Sequence, residues 1–148
     1  PGAGFPEKSW GNERFTKLVD ILYNRTNHQI RIIGSMEDRN RIDFNMNGRS
    51  GNRVLNYCGK LSLRQSAALV SRSDLVISNS SITMHWAGSY EIPSITILGE
   101  CYGSAKLHQK QWGHPNGIVL GKETSENILD LPQPDEIYAK MNLKLINE

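Results

Sequence analysis

The 148-residue sequence lacks any apolar run close to the roughly 20 residues that a membrane-spanning helix needs. It also lacks blocks of like charge: the net charge is +2, and the Lys and Arg residues are scattered. Proteins that bind nucleic acid usually concentrate basic residues on one face, so no nucleic-acid partner is predicted. Hydrophobic residues make up 38% of the chain and charged residues 22%. This balance predicts one globular domain with a core of its own.

Cysteine is scarce: Cys58 and Cys101 are the two in the chain, and neither belongs to a CxxC or Cys/His spacing. No zinc site is therefore predicted, and no other metal or cofactor. We expect two buried thiols in a protein of the reducing cytoplasm. The small positive charge leaves peripheral contact with an anionic membrane face open as an alternative.

Several familiar motifs are also missing. The chain has no GxxxxGKS/T loop, no GxGxxG fingerprint, no GxSxG turn and no Asp-x-Asp pair. These absences disfavour a P-loop nucleotide hydrolase, a dinucleotide-dependent dehydrogenase, an α/β-hydrolase and a metal-dependent transferase.

The segments that are present alternate between helical and strand-like patterns. For example, Phe15, Leu18, Val19 and Leu22 recur at helical spacing, and Ser62 is a typical residue to begin a helix. Such alternation predicts an α/β fold, with a Rossmann-like parallel sheet and helices on both faces. Helices are predicted at 13–25, 36–46, 63–72, 81–90 and 135–146, strands at 29–34, 54–58, 74–78, 93–99 and 118–120, and loops at 47–52 and 100–117.

The chain opens on a glycine-rich segment, Pro1 to Lys8, just before the first helix. Small residues let a backbone approach a ligand closely, a helix N-terminus attracts anions, and Lys8 adds a mobile positive charge. The segment is either a phosphate-binding loop or an ordinary turn with a solvated lysine. In a doubly wound sheet such a turn follows a strand, so we expect a strand and a whole domain before it.

A second candidate follows the strand at 29–34, where Glu37 and Asp38 come directly after Gly34. A carboxylate at the carboxyl end of a parallel strand can accept both hydroxyls of a ribose. The alternative is that the two acids simply favour a helix N-terminus.

The third candidate, Ser78 to Ala87, follows the strand at 74–78 and opens a helix. Hydroxyl groups and backbone N–H groups crowd this helix N-terminus, which suits a pyrophosphate. His85 lies one turn inside the helix and is either a proton or hydrogen-bond donor or a structural side chain.

Other residues give weaker signals. His28, His108 and His114 show no ligand spacing, and Trp10 and Trp86 are predicted to be core anchors. Four residues of the predicted loop at 100–117 either face a substrate or belong to a solvated loop: Lys106, His108, Lys110 and Trp112.

Taken in order, these motifs resemble the C-terminal half of the lipopolysaccharide heptosyltransferases, glycosyltransferase family nine, from Pro1 to about Gly121. The matching stretches are Pro1-Gly-Ala-Gly with Lys8-Ser-Trp10 and Arg14-Phe15, Gly34 with its acids, Gly59-Lys-Leu-Ser-Leu63, Leu75-Val-Ile-Ser-Asn79 with Met84-His85-Trp-Ala87, and Ile92-Pro-Ser-Ile-Thr-Ile-Leu-Gly99.

The resemblance implies a B-type glycosyltransferase fold of two domains that requires no metal. Residues 1–148 would form the domain that binds the nucleotide-sugar donor, typically ADP-heptose. An N-terminal domain absent from this chain would bind the glycolipid acceptor and supply the catalytic base, so no catalytic residue is assigned here. The family also implies inversion at the anomeric carbon and work in the cytoplasm or at the inner membrane face.

Site residues follow from the resemblance by position. Lys8, in the loop with Gly4, would contact the donor phosphate, and Glu37 or Asp38 would hold the ribose. Leu61 would line the adenine pocket. Contacts to pyrophosphate would come from Ser81, Ile82 and Thr83, with His85 nearby.

The sequence departs from the family at Asn79-Ser80-Ser81-Ile82, where the family shows Asn-Asp-Ser-Gly. Ser80 replaces a carboxylate that would bind sugar hydroxyls. Ile82 replaces a glycine, and a β-branched residue disfavours a positive φ, so we expect the loop to differ. Heptose is therefore not assigned as the sugar.

The function expected is a bacterial glycosyltransferase domain that binds ADP-heptose or a related donor for transfer to lipopolysaccharide or another cell-surface glycan. As an isolated half it would be inactive. Two alternatives stay open: a degenerate, non-catalytic nucleotide-binding module and a nucleotide-sugar epimerase.

Overall fold

The computed structural model describes residues 1–41 and 53–146. The five strands are β1 Ile30–Ile32, β2 Val54–Asn56, β3 Val76–Asn79, β4 Ser94–Ile97 and β5 Gly117–Leu120. The six helices are α1 Asn12–Arg25, α2 Met36–Arg41, α3 Leu63–Val70, α4 Ile82–Ser89, α5 Ala105–Trp112 and α6 Pro134–Ile146, and two 3-10 turns cover Pro6–Lys8 and Thr124–Glu126.

All strand pairs are parallel, which confirms the predicted α/β class. β1 pairs with β2, and β3, β4 and β5 form a second sheet in that order. No ladder joins β1 to β3 within the part of the chain that is described. The strands are short, and helices intervene between successive strands, as βαβ connections require.

The main core lies where α1 and α6 pack together over β4. Its centre is fully buried Trp10, Ile95, Ile97 and Ile137. The four apolar residues predicted on one face of α1 are all buried there or in the adjoining cluster beside β1 and β2. Among the described residues, no helix has both the length and the apolar character needed to cross a bilayer.

Helix starts follow the local sequence, with one correction. Ser62 caps α3 in a capping box: its hydroxyl accepts from the Gln65 N–H, and the Gln65 side chain accepts from the Ser62 N–H. Helix α1 begins one residue earlier than predicted, at Asn12, and the residue before it is Gly11 with φ 107°. Glycine tolerates that conformation, which other residues rarely adopt.

The prediction of a loop over 100–117 is wrong, because these residues contain helix α5. Ser104 caps the helix by accepting a hydrogen bond from the Leu107 N–H, 3.0 Å away. The buried face of α5 consists of Ala105 and His108, so the helix shows no apolar stripe. Part of the helix predicted at 36–46 and the whole loop at 47–52 lie outside the described residues.

The opening segment is held by Asn79, the last residue of β3, which is 1% exposed. Its Oδ1 accepts from the Trp10 N–H at 2.9 Å, and its Nδ2 donates to the carbonyls of Pro1 and Gly2. On the other side, Gly99 follows β4, and a Cβ there would lie 2.5 Å from the Glu7 carbonyl oxygen. Only a glycine at position 99 allows this approach, which places Lys8 beside the strand ends.

We expect Asn79→Ala to lower the free energy of unfolding by about 3 kcal/mol. The buried Trp10 N–H loses its acceptor and the half-buried Pro1 and Gly2 carbonyls lose their donor, and a buried group without a partner costs ~1–3 kcal/mol. Urea denaturation measures this. Asn116→Ala is the matched control: Asn116 is exposed, and its amide donates to the Glu91 carbonyl at 2.9 Å. Equal losses in the two variants would contradict the role given to Asn79.

Candidate functional site

A groove of about 470 Å³ lies where β3 ends and α4 begins. This edge, at the carboxyl ends of parallel strands, is where ligands bind in open α/β folds. No carboxylate belongs to the groove lining in the described ranges. The lining residues are Lys8, Ser80, His85, Cys101, Tyr102, Gly103, Ser104, Leu107, His108, Gln111 and Trp112.

Lys8 ends the 3-10 turn of the opening segment and is half-buried. Its ammonium lies 5.4 Å from the centre of the Phe5 ring, a cation–π contact that leaves its N–H groups available for an anion. The loop expected to bind phosphate therefore does contribute its cation to the groove. Gly4 is exposed and does not line the groove.

The turn from β3 into α4 provides Ser80 to the groove and the N-terminus of α4 beside it. Ser81 precedes the helix but its side chain does not cap the backbone N–H groups. The positive end of the helix dipole is thus directed at this region. Ile82 and Thr83 form the first turn and do not line the groove.

The sequence predicts a changed loop at Ile82, where the family has a glycine. Ile82 does not adopt a left-handed backbone conformation. Among the described non-glycine residues, positive φ occurs at Glu91 and Asn127. Ile82 starts α4, with its side chain 52% exposed. The helix therefore begins here without needing the glycine of the family pattern.

His85, which the sequence left open between a functional and a structural side chain, is exposed on α4 and lines the groove. Its ring stands edge-on to the Trp112 indole, with 6.2 Å between ring centres. Helix α5 thus forms the wall opposite α4, and the two helices define the groove between them.

His108 of α5, which the sequence left open between a substrate-facing residue and part of a solvated loop, lines the groove. Its Nε2 lies 3.1 Å from the Ser80 hydroxyl, and its ring packs edge-on against Tyr102 at 5.2 Å. Burial, and then the nearby His85, lower the pKa of His108 below its usual value. His108 is therefore neutral in the empty groove near neutral pH.

Glu123, which follows β5, fixes the N-terminus of α5. One carboxylate oxygen accepts from the Ser104 hydroxyl at 2.8 Å and the Lys106 N–H at 3.1 Å, and the other accepts from Ser125 at 2.7 Å. Hydrogen bonds from Ser125, Ser104 and the Lys106 backbone lower the Glu123 pKa. This carboxylate holds in place the helix that carries one wall of the groove.

The residues expected near the ribose and adenine lie at the ends of β1 and β2, outside the groove lining. The Asp38 carboxylate accepts bonds from the N–H and hydroxyl of Ser35, at 2.7 and 2.9 Å, so it closes the turn before α2. Glu37 is exposed in the first turn of α2. Leu61 is half-buried, two residues after the tight contact of Gly59 with Met36.

Gly2 lies between the groove and the region of Glu37 and Asp38 after β1. A Cβ on Gly2 would collide with the Asp38 carboxylate, and the Gly2 carbonyl accepts from Asn79. The carboxyl ends of β1 and β3 therefore lie on either side of the opening segment. This places Glu37 on the same edge of the fold as the groove.

The prediction of two buried thiols is half right. Cys58 is buried, and burial raises the pKa of its thiol. Cys101 is exposed and lines the groove, because it belongs to the segment that leads into α5. In the described ranges, no three His, Cys, Asp or Glu side chains converge as a metal site would require.

The family model of glycosyltransferase family 9, the heptosyltransferases, matches residues 1–130 of the chain. The chain belongs to this family. A comparison with curated proteins found no significant match.

Solved structures of the family share the fold. E. coli ADP-heptose LPS heptosyltransferase II has a TM-score of 0.82 at 22% identity, covering 99% of this chain and 45% of its own. The family 9 glycosyl transferase from Veillonella parvula has a TM-score of 0.73 at 20% identity, with coverages of 99% and 44%. E. coli heptosyltransferase WaaC with ADP has a TM-score of 0.73 at 18% identity, with coverages of 97% and 42%.

The chain therefore spans less than half the length of these solved family members. It corresponds to one domain of a B-type glycosyltransferase fold, with parallel strands and alternating helices, as the sequence predicted.

Because hydrogen bonds hold the Glu123 pKa below its reference value of 4.5 in the fold, its ionised form stabilises the domain above that pH. This contribution disappears as the pH falls through the lowered pKa. We expect Glu123→Gln to be less stable than the wild type at about pH 7, and to lose less stability on acidification to about pH 3. Urea denaturation at both pH values measures the difference.

Glu126→Gln is the control for Glu123→Gln. Glu126 is exposed and pairs with the Lys106 ammonium, and exposed ion pairs contribute little. A Glu123→Gln variant as stable and as pH-sensitive as Glu126→Gln would show that this carboxylate does not hold α5.

Proposed function

We propose that this domain binds a nucleoside diphosphate sugar, ADP-heptose or a related donor, for transfer to lipopolysaccharide or another cell-surface glycan. The observation that carries the proposal is the charge of the groove: Lys8 lines it together with Ser80, two residues before α4, and none of the described lining residues is a carboxylate. Such a surface suits a diphosphate.

In the transfer, the bond from the anomeric carbon to the diphosphate oxygen breaks and a bond to an acceptor oxygen forms. The negative charge that develops on the leaving diphosphate would be stabilised by Lys8, by the N-terminus of α4 and by His85. The acceptor, a glycolipid, and the base that takes its proton would belong to a second domain of the transferase, because this chain covers under half of its solved relatives.

ADP is the first nucleotide to test. WaaC structures in the family contain ADP and ADP-2-deoxy-2-fluoro heptose. In this chain, Glu37 or Asp38 would hold the ribose hydroxyls, and half-buried Leu61 would flank the base. Asp38 also accepts two bonds from Ser35 and closes the turn before α2, whereas Glu37 is the more exposed of the two acids.

Ser80 offers a neutral hydroxyl where the family pattern has a carboxylate that would bind sugar hydroxyls. A hydroxyl donates one hydrogen bond and accepts up to two, whereas a carboxylate only accepts and can accept about four. We therefore leave the sugar as heptose or a related ring.

Calorimetric titration with ADP, UDP and GDP tests the proposed function. We expect ADP to bind more tightly than UDP and GDP. Failure of all three nucleotides to bind would contradict the proposal and favour a degenerate, non-binding module. Conversion of a donor sugar to its epimer without any acceptor would instead indicate the epimerase alternative.

We expect Lys8→Ala to weaken ADP binding by about 10- to 100-fold, because a charge-assisted bond to phosphate is worth ~1.5–3 kcal/mol. The matched control is Lys17→Ala, which removes an exposed lysine of α1 away from the groove lining. Similar affinities for both variants would remove Lys8 from the site.

Glu37→Gln and Asp38→Asn separate the two acids. We expect Glu37→Gln to weaken ADP binding by about 10-fold with little change in stability, since it loses a charged bond to the ribose. Asp38→Asn is expected to lower the unfolding free energy, because the Ser35 turn loses its acceptor. A larger loss of ADP affinity in folded Asp38→Asn than in Glu37→Gln would reverse the assignment.

A further inference from the structure

The Ser80–His108 pair is the one hydrogen bond between side chains that crosses the groove among the bonds described. It links the turn before α4 to the middle of α5. His108 is buried on its own helix, while Ser80 is half-buried and faces the cavity. Both residues line the groove, and Ser80 is the more exposed of the two.

The position of the hydrogen between Ser80 and His108 determines whether the Ser80 hydroxyl can donate a hydrogen bond to a ligand. When the His108 Nε2 is unprotonated, it accepts the Ser80 hydroxyl hydrogen, and the Ser80 oxygen can only accept from a ligand. When Nε2 carries a proton, it donates to the Ser80 oxygen, and the hydroxyl hydrogen is free to turn toward the cavity. The second arrangement matches an anion and the first does not. Both the neutral Nε2–H tautomer and the imidazolium provide it, and the imidazolium adds a positive charge that the neutral tautomer lacks.

The charges around His108 favour the neutral ring until an anion arrives. The groups facing it are Lys8 of the opening segment, His85 of α4, and Cys101 and Tyr102 before α5. Glu123 is occupied at the N-terminus of α5, and Lys106 on the same helix pairs with Glu126. No carboxylate of the described lining compensates a charge on the ring, and burial and His85 already lower the His108 pKa.

We propose that His108 is a positioning residue for the donor diphosphate: it takes up a proton when the anion enters the groove and turns the Ser80 hydroxyl hydrogen toward it. The proton comes from solvent and returns there when the nucleotide leaves. This inference rests on the proposed function, because it requires a diphosphate between Lys8 and Ser80.

The pH dependence of nucleotide affinity follows from the pKa of His108 in the free domain and in the complex. An anion within about 4–6 Å raises a histidine pKa, typically by about 1–3 pH units. The bound-state pKa of His108 then lies above the free-state pKa. The gain in affinity is complete below the free-state pKa and disappears as the pH rises through the bound-state pKa. Its full size is about 10-fold for each pH unit that separates the two pKa values.

The experiment is calorimetry with ADP in buffers of different ionisation enthalpy, which counts the protons taken up on binding. His108→Gln keeps a side chain that can bond to Ser80 but cannot titrate. The second phosphate pKa of a phosphomonoester is about 6, so ADP itself also titrates. The measured quantity is therefore the difference between the wild type and His108→Gln.

A matched control exists within the same domain. His114 bonds through Nε2 to the Ser94 hydroxyl at 2.8 Å, outside the groove lining. We expect wild type and His114→Gln to take up the same fraction of a proton near pH 7, and His108→Gln to take up less. Equal proton uptake in wild type and His108→Gln, with ADP bound in both, would overturn the proposal while leaving the proposed function intact.

Ser80→Ala gives an independent test that leaves α5 unchanged. We expect it to weaken ADP binding more at about pH 6 than at about pH 8, because the hydroxyl donates to the anion when His108 is protonated. The same loss at both pH values would overturn the relay through Ser80. Absence of any ADP binding by the wild-type chain would overturn this inference and the proposed function together.

Discussion

The buried amide of Asn79 is the contact on which the rest of the site depends. One side chain accepts from the start of α1 and donates to the opening segment, so it fixes three backbone groups at the end of β3. These bonds set the opening segment between the ends of β1 and β3, and the Glu7 carbonyl of that segment also accepts a bond from the Cys101 N–H at 3.1 Å. Lys8 enters the groove because this segment is fixed at Asn79 and lies against Gly99. A polar group that is buried and fully used is a strict geometric constraint.

The groove combines fixed and adjustable charge. The N-terminus of α4 is a fixed partial charge that needs no reorganisation when an anion binds. Lys8 is a permanent cation on a mobile stem, whereas the His108 ring can change its protonation state. None of the described lining residues is a carboxylate that would neutralise these groups.

Sequence signals predicted the secondary structure correctly where a single short stretch of residues determines it. Ser62 predicted the start of α3, and the apolar spacing of α1 predicted its buried face. Lys8, Ser80 and His85 could be identified because each lies beside a strand end or a helix start. Helix α5 could not be identified from the sequence, because its buried face contains His108 rather than a row of apolar residues. The available signals were Ser104 before the helix and Gly113 after it. The Ser80–His108 contact joins residues far apart in sequence, so only the fold reveals it.

The way α5 is attached affects which of its positions can be substituted during evolution. The helix is secured at its first turn by Glu123 and Ser104, and its exposed residues carry little of the packing. Leu107, Gln111 and Trp112 can therefore be replaced without creating cavities in the core formed by α1, α6 and β4. Substitutions at Leu107 and Gln111 would alter one wall of the groove, whereas a change at Trp112 would also remove its ring contact with His85 on the opposite wall. The shape of the groove can therefore change at little cost in stability.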